Sequence, residues 1–121
     1  MNQGEELTAY PSAMIDEKRF CIMASALGSE IDSILKDAFQ DCEDFTARFP
    51  VMAALNDVEG IRVLCHALKG VLGMLGLVGL GSCLEAWEST LMRGEIPSGE
   101  SVLKTFRERL AATHLALRSE R

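Results

Sequence analysis

Apolar residues recur along this chain at the three-and-four spacing of helices, not at the alternation of strands. Phe20, Met23, Ala24 and Leu27 stand at i, i+3, i+4 and i+7 and predict a first helix over about residues 12–27. Gly28 suits its C-terminus and Ser29 the N-cap of the next. Ile31, Leu35, Ala38, Cys42, Phe45, Phe49 and Met52 share one side of a second helix over about residues 30–55, in which Pro50 predicts a kink. Asn56 with Glu59 has capping-box spacing and opens a third helix over about residues 57–75. Gly76 breaks the pattern. Leu80, Cys83, Leu84, Trp87 and Leu91 mark a fourth helix over about residues 78–93, although Gly79 and Gly81 crowd its start. After a turn at Gly94–Pro97, Ser98 caps a fifth helix over about residues 99–118, with Leu103, Phe106, Leu110, Thr113 and Leu117 as its stripe.

Amphipathic helices joined by short turns pack as antiparallel neighbours. The expected fold is all-α: an antiparallel four-helix bundle with a short additional N-terminal helix. Residues 1–11 read as a flexible N-terminal tail ending at Pro11, and residues 12–121 as one domain. Val71–Leu84 is the longest apolar run, about 14 residues against the roughly 20 of a membrane helix. It is also broken by four glycines, so no membrane span is expected.

Composition narrows the classes. With 48% apolar residues and 121 positions the chain can bury a core without staples. A net charge of −6 and no basic run argue against nucleic-acid binding. The four cysteines, at 21, 42, 65 and 83, form no CxxC pair and read as reduced core thiols of a cytoplasmic protein. Trp87 and the methionines read as core, and His114 as a half-buried residue at the edge of its stripe. No GxxxxGK[ST] loop is present, and Gly79-x-Gly81 fails GxGxxG because Leu84 fills the last position.

The third helix carries the chemistry. At about 100° per residue, Ile61, Leu64, Cys65, Leu68, Leu72 and Leu75 share an arc facing the core, with Val71 at its border. His66 points the opposite way and is expected to be exposed. Gly70 and Gly73 follow it at i+4 and i+7, where each costs roughly 1 kcal/mol against alanine. They leave a low track on which another protein's backbone can approach. Lys69 at i+3 and Arg62 at i−4 place two cations within reach of a negative group on the ring. Imidazole, with an ordinary pKa of about 6.5, offers a nucleophilic nitrogen near neutral pH without a separate base. The sequence displays no acid–base dyad. Cys65 and His66 point about 100° apart and do not share a metal.

These residues carry a resemblance. His66-Ala67-Leu68-Lys69-Gly70, followed by Leu75-Gly76, resembles the H-x-L-K-G…L-G signature of histidine-containing phosphotransfer (HPt) domains. The helix order is similar over residues 15–118. Val71 and Leu72 depart from the small residues often found after Lys-Gly in that family. The resemblance implies a phosphocarrier without kinase activity of its own. Its partners would be the receiver domains of a hybrid histidine kinase and of a response regulator. It implies that His66 is phosphorylated, that Lys69 assists electrostatically, and that Gly70 and Gly73 give the docking receiver room. It also implies no cofactor or metal of the chain's own, the Mg2+ being the receiver's. A monomer is expected, and the start at Met1 reads as a free-standing protein. The competing readings are a docking or inhibitory module that binds a receiver or kinase without transfer, and a metal or haem bundle.

Overall fold

The protein is described by a computed structural model covering residues 14–120, with side chains through 118. The tail expected over residues 1–11 lies outside the described residues. Among the described residues five α-helices follow one another: α1 Glu17–Leu27, α2 Ile31–Ala54, α3 Val58–Met74, α4 Val78–Met92 and α5 Gly99–Glu120, with a 3-10 turn Gly28–Glu30 between α1 and α2. The helices α2 to α5 close a four-helix ring in which α3 lies between α2 and α4, and α5 completes the circuit. The short α1 packs on α2.

Three helices end by one device. At Asn56, Gly76 and Gly94 the backbone turns to positive φ, at 55°, 78° and 81°. Each turn returns two amide protons to the preceding helix. Asn56 donates to Ala53 and Asp57 to Met52, Gly76 to Gly73 and Leu77 to Leu72, Gly94 to Leu91 and Glu95 to Thr90. This double closure satisfies carbonyls that a helix end otherwise leaves bare. It also corrects the capping box. Asn56 ends α2 in the left-handed region, so the cap of α3 falls one residue later, where Asp57 accepts from the Gly60 amide at 2.9 Å.

Other boundaries shift for local reasons. The first helix begins at Glu17, not near residue 12, because Asp16 caps it by accepting from the Arg19 amide at 3.1 Å. Met14 and Ile15 precede it and are buried. Ser29 caps nothing, since α2 follows the 3-10 turn with no side-chain cap. Pro50 lies within one unbroken α2. The fourth helix starts at Val78 despite its glycines, because Gly79 lies against Met14, where a Cβ would overlap, and donates its amide to the Met14 carbonyl at 3.0 Å. Arg109 of α5 reaches across to the Gly79 carbonyl at 2.8 Å.

The core follows the stripes. Phe45, Phe49 and Phe106 are fully buried, and half-buried Trp87 stacks on Phe45 with ring centroids 6.2 Å apart. On α5, Val102 is buried while Leu103 is only half-buried, a shift of one position from the expected stripe. Three residue expectations fail. Cys21 is exposed, whereas Cys42, Cys65 and Cys83 are buried. Met74 and Met92 are exposed on the surface of the bundle. His114 is exposed and stacks on Phe39, with centroids 4.0 Å apart. Among the described residues no helix is long and apolar enough to cross a membrane.

Candidate functional site

The side chain of His66 is 66% exposed on α3, on the side away from the buried Ile61, Cys65, Leu68 and Leu72. The ring is not alone. Its Nδ1 lies 2.9 Å from Oε2 of Glu88, which α4 presents from a side chain only 9% exposed. The ammonium of Lys69 stands 2.9 Å from the other oxygen of that carboxylate, Oε1. Arg62 brings Nη1 to 3.8 Å from Oε2 while pairing mainly with Glu59. Thus His66, Lys69 and Arg62, spaced at i, i+3 and i−4 on one helix face, converge on a single carboxylate from the next helix.

Glu88 is the residue the sequence reading missed. It stands four positions after Leu84 and three before Leu91, on the stripe that α4 turns inward. A charge at a core-facing register is the signal that marks it. Burying a lone carboxylate is costly, so such a group needs partners. Here the Lys69 ammonium, and after it the His66 ring, hold the Glu88 carboxyl below its usual range against the opposing effect of burial. In return Glu88 raises the Lys69 pKa, through their close contact. Hydrogen bonding to Glu59 raises that of Arg62.

The protonation pattern follows from this. An ionised carboxylate only accepts hydrogen bonds, so the short contact with Nδ1 requires the ring to carry its proton there. In the neutral ring the lone pair is then on Nε2, which has no hydrogen-bond partner among the described residues. The dyad that the sequence did not display is assembled across two helices. It holds the imidazole in the tautomer whose free nitrogen is a nucleophile. Lys69, expected beside a group on the ring, is engaged with Glu88.

The surroundings are open. A Cβ built on Gly70 or Gly73 meets nothing within 4 Å, so neither glycine is kept small by packing among the described residues. Val63, one turn before His66, is 53% exposed, and Met74, two turns after it, 48%. Among the described residues no group of three or more His, Cys, Asp or Glu is placed to hold a metal.

Known proteins share the family profile and the fold. The sequence profile described as the Hpt domain matches residues 20–117. The crystal structure of histidine-containing phosphotransfer protein B (HptB) from Pseudomonas aeruginosa PAO1 superposes with a TM-score of 0.77 at 18% sequence identity. The match covers 88% of this chain and 94% of that one. At that identity the likeness concerns the fold. No curated protein sequence matches the chain.

Proposed function

The chain belongs to the Hpt domain family, whose members carry phosphoryl groups on a histidine in phosphorelays, and from that premise we propose that His66 is the carrier here. In this reading His66 accepts a phosphoryl group from the aspartate of one receiver domain and passes it to another. The observation that carries the reading is the 2.9 Å contact between Nδ1 of the exposed ring and the buried Glu88 carboxylate.

The step balances on these atoms. The Nε2 lone pair attacks phosphorus, the P–O bond of the aspartyl phosphate breaks, and its electron pair returns to the receiver's carboxylate. The ring, still holding the Nδ1 proton, becomes positively charged, and Glu88 beside it compensates that charge. Onward transfer runs the same bonds in reverse. The phosphorylated ring stays cationic, so its P–N bond remains easy to break. Lys69 acts in the exchange by keeping Glu88 ionised. Gly70 and Gly73 admit the receiver's rim, and the Mg2+ of the exchange is assigned to the receiver. A surface that only docked would have no need of a buried carboxylate aimed at an imidazole, which favours transfer over a docking module.

Incubation with a phosphorylated receiver tests the proposal. Wild-type protein should acquire an acid-labile, alkali-stable label, and His66→Gln should acquire none while keeping its helical content. Label on the folded His66→Gln protein would overturn the assignment.

A further inference from the structure

Arg62 is shared between two carboxylates of different standing. Its Nε donates to Glu59 Oε1 at 3.0 Å and its Nη2 to Glu59 Oε2 at 2.6 Å, a two-point pair in the first turns of α3. Its remaining nitrogen, Nη1, stands 3.8 Å from Glu88 Oε2, the oxygen that accepts the hydrogen bond from His66 Nδ1. Glu59 itself is 72% exposed, and among the described residues its carboxylate pairs with Arg62 alone. The guanidinium is therefore one carboxylate oxygen away from the ring, held back by an exposed surface carboxylate.

We propose that Glu59 is a positioning residue that parks Arg62, and that a phosphoryl group on His66 draws the guanidinium away from it. The inference rests on the reading of His66 as the carrier. Before phosphorylation Arg62 and Lys69 balance Glu59 and Glu88. The phosphoryl oxygens carry nearly two negative charges, of which the cationic ring offsets one, so the site becomes more negative by about one charge. Lys69 would have to give up its 2.9 Å contact with the other oxygen of the buried Glu88 to follow the phosphoryl group, which is expensive. Arg62 can follow, because its exposed pair with Glu59 is weak and its planar fork matches phosphate oxygens. Glu59 then competes with the phosphoryl group for one cation and lowers the stability of the phosphorylated state.

Two readouts test this on the full chain. Phosphoramidate labels the ring directly: its P–N bond breaks, ammonia leaves, and the Nε2–P bond forms. The Arg62 Nε–H resonance should shift on labelling in wild type, and Glu59→Gln should already be displaced before labelling. With a receiver that exchanges label with the protein, Glu59→Gln should shift the equilibrium toward phosphorylated protein by about two- to fivefold, the worth of an exposed pair. That gain should vanish in an Arg62→Gln background. Glu108→Gln, which removes the same charge on α5 across the bundle, should not reproduce it. An Arg62 resonance that ignores labelling, or a Glu59→Gln gain that survives without Arg62, would overturn the inference while leaving His66 as carrier. Label persisting on His66→Gln would remove the carrier reading and this inference together.

Discussion

At the residue scale the chemistry of the site turns on one carboxylate, Glu88. Glu88→Gln keeps the shape but loses the obligate acceptor, so Nδ1 is no longer fixed as the protonated nitrogen. A hydrogen bond to a charged group is worth about 1.5–3 kcal/mol, and labelling of His66 should slow by roughly 10- to 100-fold. The same group sets a pH dependence. Its folded pKa is depressed, so the unfolded chain takes up the proton first as pH falls. The stability it contributes is present above the ordinary carboxylate value and is lost as pH falls through the folded one. The stability difference between wild type and Glu88→Gln should therefore shrink on going from pH 7 to pH 3, measured by urea unfolding. A constant difference would show that the ionised form is not what the fold favours. The thiols give an independent check on burial. Desolvation pushes Cys42 and Cys65 up to about 12 and Cys83 to about 11, while Cys21 is exposed. At pH 8 a thiol reagent should titrate one cysteine in the native protein and four after unfolding.

At the scale of helices and turns, the glycines divide into two kinds. Gly76 has φ of 78°, and a Cβ there would lie 2.9 Å from the Asp16 carbonyl, against which α1 begins. Gly76→Ala should cost about 2 kcal/mol or more through strain and displacement of α1, read as a lower urea midpoint. Gly70 has ordinary helical backbone and empty space where a side chain would stand. Gly70→Ala should stabilise the protein by up to about 1 kcal/mol and slow transfer from a receiver. A stabilised variant with undiminished transfer would mean that no partner approaches there. The break at Gly76 was legible because glycine announces a left-handed residue. Asn56 uses the same geometry but reads equally well as a cap, and only the two amide bonds back into α2 decide between them. The start of α1 was misplaced because Met14 and Ile15 are apolar and buried yet precede the helix, and periodicity does not separate those cases.

At the scale of the whole molecule, the bundle was legible because every long helix carries one apolar stripe and the turns between them are short. The exposed His66 with Gly70 and Gly73 beside it followed from a single helical wheel, since all three lie on α3. Glu88 did not, because its meeting with His66 depends on how α3 and α4 are set against each other, which is a property of the packed bundle. The charged cluster is thus a tertiary feature. It couples the core-facing side of α4 to the outer face of α3, and it is the part of the site that no local motif displays.

The most direct test of the central claim is to phosphorylate protein carrying 15N-labelled histidine and determine which ring nitrogen is bonded to phosphorus. Nε2 of His66 should carry the phosphoryl group, with Nδ1 still protonated toward Glu88. Phosphorus on Nδ1, or on His114 instead, would contradict the account.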